Sequence, residues 1–233
     1  MSEPIAIIGG TGDLGRGLGY RWAKAGRPVI IGTRTLDKAE TARDDILARV
    51  PDAPVRAMEN AEAAEAASIV AVTVPFAHQG PTLDVILPHV QGKIVIDTTV
   101  CLNPPKVMRV QLPPGGSAGA IAQKHLGDAV RVVSAFQNVP AAALWEPGPV
   151  DCDVLVTGND KQARAEVIDL VTAAGLRGLH AGPIDNAAAT EALTSLLIFI
   201  NKAYGAHAGL RITGVPKTSC RRGSAGSTSL RCR

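Results

Sequence analysis

Gly10, Gly12 and Gly15 stand at GxGxxG spacing in the run Ile5-Ala6-Ile7-Ile8-Gly9-Gly10-Thr11-Gly12-Asp13-Leu14-Gly15. The run passes from an apolar strand to a helix, and that context gives the spacing its chemistry. Gly10 permits a tight turn. Gly12, without a Cβ, lets backbone approach a pyrophosphate. Gly15 lets the helix lie close to the strand. The helix N-terminus then offers free N–H groups and a partial positive charge to the phosphates. Thr11, Asp13 and Leu14 complete the candidate loop.

The end of the second strand reads Gly32-Thr33-Arg34-Thr35, with Lys38 one turn later and no carboxylate before Asp37. Enzymes that prefer NAD place Asp or Glu at this point for the ribose 2′-OH. A hydroxyl, a guanidinium and an ammonium suit a 2′-phosphate instead, which a carboxylate would repel. Arg34 can grip it as a fork and Lys38 can add a point charge. Thr33, Arg34 and Lys38 therefore select NADP(H) over NAD(H). Further candidates follow the later strands. Val74, Pro75 and His78 belong to Thr73-Val74-Pro75-Phe76-Ala77-His78. Val74 and Pro75 suit the cofactor's ribose or nicotinamide; His78 points into the cleft or simply faces solvent. Asp97 is a candidate base or a turn cap. Gln137, Asn138, Val139 and Pro140 make a neutral, hydrogen-bonding stretch that fits a planar heterocycle better than a small charged acid.

A nucleophile–base triad in a G-x-S-x-G context and a metal-ligand spacing are both missing from the sequence. Hydride transfer between two planar rings needs positioning more than acid–base groups. No catalytic side chain is therefore assigned.

The elements that must carry these residues alternate strictly. Strands are expected at Ile5–Ile8, Val29–Gly32, Val55–Ala57, Ile69–Val74, Lys93–Asp97 and Arg131–Ala135. Helices are expected at Leu14–Ala25, Asp37–Val50, Asn60–Ala66, His78–Leu87 and Ser117–Leu126, with Pro81 disturbing the start of the fourth. This pattern predicts an α/β fold, a Rossmann-type doubly wound parallel sheet with right-handed crossovers. Residues 98–116, with four Pro and two Gly, read as a loop or flap. Strands at Asp153–Thr157 and Leu176–Leu179 flank a helix at Lys161–Ala174, and a long helix runs from Asn186 to Ala208. The expected organisation is an NADP-binding domain at 1–135, a small C-terminal α/β or helical domain for substrate and dimerisation at 136–215, and a basic, disordered tail at 216–233.

Composition excludes several classes. The chain has 233 residues, 46 % hydrophobic and 19 % charged. That is a globular mix, too apolar for a disordered chain. Its most apolar late stretch, Leu193–Ile200, is far short of the roughly 20 residues that span a bilayer. The net charge of +3 arises after Pro216, where Lys217, Arg221, Arg222, Arg231 and Arg233 stand without an acid; the body carries −2. The body thus has no basic footprint for nucleic acid. Cys101 and Cys152 in the body and Cys220 and Cys232 in the tail show no CxxC, which fits a reducing cytosol. The N-terminus has no signal-peptide pattern, so a cytoplasmic protein is expected.

An ordered set of motifs resembles the F420-dependent NADP oxidoreductases. It comprises Ile8 to Leu18, Ile31-Gly32-Thr33-Arg34 with Lys38-Ala39, Thr73 to His78, Val133 to Ala141, Ala181 to Asn186, and Glu191 to Leu197. The resemblance covers roughly residues 3–215. It implies a Rossmann domain, a small C-terminal domain, a homodimer through the C-terminal part, and reversible hydride transfer between C4 of NADPH and C5 of coenzyme F420, a deazaflavin. By the same resemblance Thr11, Gly12, Leu14, Thr33, Arg34 and Lys38 hold NADP, and Val74 and Pro75 line the nicotinamide side. Gln137, Asn138 and Val139 face the deazaflavin. Gln137 stands where the family pattern has His; it can donate a hydrogen bond but never as a cation. Two alternatives remain at this point: an NADPH-dependent reductase of a flavin, pterin, quinone or ferric chelate, or a non-catalytic NADP(H)-sensing module.

Overall fold

The computed structural model describes residues 3–215. The expectation for the tail at 216–233, with Cys220 and Cys232, lies outside the described residues. Six parallel strands form the body: β1 (Ile5–Ile8), β2 (Val29–Thr33), β3 (Val55–Glu59), β4 (Ile69–Val72), β5 (Ile94–Asp97) and β6 (Arg131–Ser134). They lie in the order β3-β2-β1-β4-β5-β6, the doubly wound arrangement with its switch point between β1 and β4. The sheet continues through β7 (Asp153–Gly158) and β8 (Arg177–His180). β7 runs antiparallel to β6 through Val133↔Gly158 and Ser134↔Thr157, and β8 pairs parallel to β7. The sheet direction therefore reverses between β6 and β7, on the far side of the expected domain boundary at residue 135.

The helices are α1 (Asp13–Lys24), α2 (Leu36–Leu47), α3 (Asn60–Ala66), α4 (Phe76–Ile86), α5 (Ala118–Leu126), α6 (Ala141–Trp145), α7 (Lys161–Ala173) and α8 (Ala187–Tyr204). Strand side chains alternate between faces. Ile5 and Ile7 of β1 pack with Leu18, Trp22, Ile31 and Ile46 on one face, joined by Val167 and Leu170 of α7. Ala6 and Ile8 pack with Ile30, Val72, Leu83 and Ile86 on the other. Because both faces are covered, the strands read as unbroken apolar runs rather than alternating ones.

Several boundaries differ from expectation: β3 runs on to Glu59, α2 ends at Leu47 and α8 at Tyr204, and two further shifts, at β4 and α4, have local causes. β4 stops at Val72, where Thr73 leaves the ladder and turns its hydroxyl onto the Ile8 carbonyl at 3.0 Å. α4 begins at Phe76 after Pro75 and runs through Pro81; the amide that Pro81 lacks would have served only a first-turn carbonyl. The short α6 was not anticipated. Among the described residues, no helix is long and apolar enough to cross a membrane.

Trp22 joins the two helices of one face. It is fully buried, its indole Nε1 donates to the Leu170 carbonyl at 2.9 Å, and its ring meets Phe136 edge-on at 6.1 Å. Trp22→Ala should cost about 3–5 kcal/mol in urea denaturation; a change below about 1 kcal/mol would contradict this core.

Candidate active site

The glycine loop sits at the carboxyl end of β1. Gly9 and Gly10 both donate to the Gly32 carbonyl, at 3.0 and 3.1 Å, and Gly12 donates back to Gly9 at 3.2 Å. The left-handed residue of this turn is Gly9, with φ of 77°, and not Gly10. Gly10 is required for a different reason: a Cβ there would stand 2.8 Å from the Ile7 carbonyl oxygen. A Cβ on Gly15 would fall 2.7 Å from both Gly10 Cα and Thr73 Oγ1, so α1 can approach the sheet only without one. Gly12 is unlike these. A Cβ there would meet only the Gly9 oxygen at 3.8 Å, an ordinary contact. The protein's own packing does not demand glycine at position 12, and the space beside it is open to a ligand.

Gly12 is the N-cap of α1 and offers no side-chain cap. The first intrahelical bond runs from Arg16 N to Gly12 O, which leaves the amides of Asp13, Leu14 and Gly15 without helical acceptors. Gly12 and Asp13 are exposed, Thr11 and Leu14 half-buried. At the end of β2, Thr33 is buried, while Arg34 and Lys38 are exposed. Among the described residues neither Arg34 nor Lys38 has a hydrogen-bonding or ionic side-chain partner. α2 begins at Leu36 with its own N-terminus uncapped by a side chain. Two uncapped helix starts and two unpartnered cations therefore stand at the carboxyl ends of adjacent strands, where an anion is favoured.

The loop after β4 closes over the glycine turn. The Cβ that Gly9 lacks would stand 2.6 Å from Val74 Cγ1. Val74 is half-buried, and Pro75 and His78 are exposed, His78 on the first turn of α4. The structure thus brings Val74 directly against the glycine loop and leaves His78 on the solvent side.

β6 supplies the opposite wall. Phe136 follows it with φ of 73° and is buried. A left-handed aromatic residue costs about 1–3 kcal/mol and persists only where its surroundings fix it; Trp22 provides that fixing. Gln137 and Asn138 are buried, Val139 and Pro140 half-buried. Gln137 Nε2 donates to the Asp97 carbonyl at 2.9 Å and to Ser134 Oγ at 2.8 Å. Since a carbonyl only accepts, the amide orientation is forced, and both amide hydrogens are spent inside the protein. Asn138 Nδ2 likewise donates to the Thr190 carbonyl and Thr194 Oγ1, at 2.9 and 3.1 Å. Thr194 returns a bond to the Gln137 carbonyl at 3.0 Å. Both side chains tie their segment to β5 and α8.

Two buried carboxylates lie beneath this wall. The Asp97 side chain accepts from Gln79 Nε2 at 3.1 Å on each oxygen, and burial pushes its pKa up to about 6. Glu191 on α8 accepts from the amides of Ala118 and Gly119 at 2.8 and 3.0 Å, capping α5 from another helix. Burial raises its pKa to about 7 against those two bonds, with the Asp97 charge adding to the rise. Sequence reasoning did not single out Glu191 for this tie; nothing local announces a partner 73 residues away. A cavity of about 500 Å³, lined by Glu3, Lys93, Arg131 and Glu166 among others, opens at the strands' amino ends, away from every predicted site residue.

Residues 4–101 match the family model described as NADP oxidoreductase coenzyme F420-dependent. The chain is 40 % identical over 227 residues to the F420-dependent NADP reductase of Methanothermobacter marburgensis, covering 91 % of this chain and 99 % of that protein. It is 38 % identical over 221 residues to the F420-dependent NADP reductase of Methanocaldococcus jannaschii, covering 91 % and 98 %. A crystal structure of a proposed F420-dependent NADP-reductase from Arthrobacter sp. FB24 superposes with a TM-score of 0.73 at 28 % identity, covering 86 % of this chain and 94 % of that one.

Two predictions follow from the site's geometry. Gly12→Ala should fold with stability within about 0.5 kcal/mol of the parent yet bind NADPH more weakly, whereas Gly15→Ala should lose stability; equal stability losses would contradict the distinction. The second concerns Glu191, whose folded pKa lies above its ordinary 4.5. Its contribution to stability is full below that value and is lost as pH rises through about 7. The stability deficit of Glu191→Gln should therefore narrow between pH 5 and pH 8, by on the order of 1–3 kcal/mol, in urea titrations. A deficit that widens would mean that the α5 terminus, not burial, governs the carboxylate.

Proposed function

As the chain belongs to the F420-dependent NADP reductase family, we propose that it transfers a hydride reversibly between NADPH and coenzyme F420 in the cleft beyond the carboxyl ends of β1, β2, β4, β5 and β6. The observation that carries this reading is the open cradle at Gly12, set between an uncapped α1 terminus and the unpartnered Arg34 and Lys38. The residues present fit NADP(H). Gly10 to Gly15 receive the pyrophosphate on main-chain amides, and Thr33, Arg34 and Lys38 receive the 2′-phosphate. Val74 and Pro75 line the nicotinamide side. When bound, the nicotinamide and the deazaflavin supply the hydride chemistry themselves.

Gln137, Asn138, Val139 and Pro140 face the deazaflavin in this reading. The commitment of Gln137 and Asn138 to Asp97, Ser134, Thr190 and Thr194 makes the stretch a fixed wall rather than a set of adaptable donors. Preorganisation of this kind is what a two-ring reaction asks of a protein. His78, exposed at the start of α4, lies at the outer edge of the cofactor site. The division at residue 135 follows the same logic: the body before it holds NADP, and residues 136–215 hold the second substrate and the partner copy.

A homodimer in the cytoplasm completes the proposal. Leu196, Phe199, Ile200 and Tyr204 recur at helical spacing on the exposed side of α8. An apolar stripe of that period is suited to packing against a second copy. Cys101 and Cys152 are free and buried, as expected in a reducing compartment. The reading calls for no membrane or nucleic-acid partner and no metal.

The direct test mixes purified protein, NADPH and oxidised F420 and follows loss of the deazaflavin's visible absorbance, with NADH in parallel. Turnover should occur with NADPH and fall steeply with NADH. Losing the Arg34 fork removes a charge-assisted contact of about 1.5–3 kcal/mol, so Arg34→Ala should weaken NADPH by roughly 10- to 150-fold while leaving NADH unchanged. Turnover at equal rates with both nucleotides would refute the phosphate assignment. NADPH binding without F420 turnover would refute the second substrate.

A further inference from the structure

The five-residue helix α6 has a C-terminus held entirely by cations from the dinucleotide half of the fold. Arg21, on the last turn of α1, is 6 % exposed. Its Nε donates to the Leu144 carbonyl at 2.6 Å, and one terminal nitrogen donates to the carbonyls of Ala143 at 2.9 Å and Glu146 at 2.6 Å. Lys24 Nζ reaches the Pro147 carbonyl at 3.1 Å, and Arg49 reaches that of Trp145 at 2.8 Å. Carbonyls 143 to 147 are thus each bonded to a side chain that lies about 100 residues or more away in sequence. The last carbonyls of any helix lack intrahelical donors. Here the buried Arg21 guanidinium, with the exposed Arg49 and Lys24 at its flank, takes the place of the usual glycine cap.

The contact is close as well as charged. A Cβ on Gly17 of α1 would stand 2.7 Å from Leu144 Cβ. Arg16 and Arg49 lie over the Trp145 ring at 4.8 and 4.3 Å. Burial pulls the Arg21 pKa down from its ordinary value, so the site holds a charge against a desolvation cost. An apolar side chain of similar length would fill the volume without that cost. What Arg21 adds is orientation: a planar fork fixes three carbonyls at once.

Pro140 is the N-cap of α6, so Gln137–Pro140 leads directly into the clamped helix. Upstream the segment is tied to β5, β6 and α8; downstream its anchor is α6. Helix α1 carries the glycine loop at its other end. The geometry points to Arg21 as a positioning residue for the second substrate: by locking α6 to α1, it holds the Gln137–Pro140 wall at a fixed distance from the dinucleotide loop. This inference rests on the F420 reading of that wall.

Arg21→Lys keeps the charge but replaces the fork with a single ammonium that cannot span Ala143, Leu144 and Glu146 together. In the full-length protein, the KM for F420 should rise about 10- to 100-fold, while the NADPH dissociation constant stays within about twofold. Amide hydrogen exchange should quicken across residues 137–147 and stay unchanged across β1 and β2. Arg21→Met, which fills the volume without donors, should show the same split even where its melting temperature matches the parent. An unchanged KM for F420 in both variants would overturn the inference. So would a loss of NADPH affinity in proportion to that for F420, which marks general destabilisation. A parent protein that turns over no F420 would instead refute the functional reading, and unaltered exchange at 137–147 would then refute the clamp by itself.

Discussion

The structure depends on how closely α1 can lie against the sheet. Backbone at Gly10 and Gly15 comes within a distance that no Cβ could occupy, and Thr73 fills the remaining corner with a hydroxyl bonded to Ile8. This approach sets the first amides of α1 at the carboxyl edge of β1, beside the switch point where β1 and β4 diverge. A different side of α1 meets α6, where Gly17 leaves room for Leu144. In the proposed reading one helix therefore faces the dinucleotide at its start and supports the second wall of the cleft near its end.

That second wall is rigid because its polar groups are satisfied within the protein. Phe136 turns the chain out of β6 against Trp22. Gln137 and Asn138 then spend their amide hydrogens on β5, β6 and α8. Beneath them Asp97 and Glu191 are carboxylates held by neutral donors and not by cations, and burial pushes both toward neutrality against the pull of those hydrogen bonds. They join α4, α5 and α8 to the sheet. None of this resembles a proton-relay site, and the proposed reaction does not require one. In that reaction two rings held in a fixed cleft would exchange a hydride by virtue of their placement.

The parallel sheet was legible in the sequence because its signal is local. Each central strand is a short apolar run stopped by Gly, Pro or a polar pair, and GxGxxG names the turn between the first strand and helix. The exposed position of Arg34 and Lys38 beyond β2, though not their proposed role, was legible for the same reason: charge at one strand end needs no distant partner to be read. What the sequence hid was non-local. Gly9 takes the left-handed turn, but adjacent glycines give no sign of which does so. Ala141–Trp145 is too short for periodicity, and its helix ends on Arg21, Lys24 and Arg49 from far along the chain. Glu191 looks like an ordinary helical acid until α5 is seen to begin at its carboxylate. The hydrogen-bond roles of Gln137 were equally invisible, since a glutamine's donors are assigned by what surrounds it.

The central claim is that NADPH and the deazaflavin meet ring to ring between α1 and the Gln137–Pro140 wall, with no protein group between them. The most direct measurement uses NADPH carrying deuterium at both C4 positions, with F420 in ordinary water and mass spectrometry of the reduced deazaflavin. Direct transfer predicts one deuterium retained in each reduced F420 formed. Reduced F420 carrying only solvent hydrogen would contradict it, because the hydrogen would then have passed through an exchangeable group and the cleft would not hold the rings in contact.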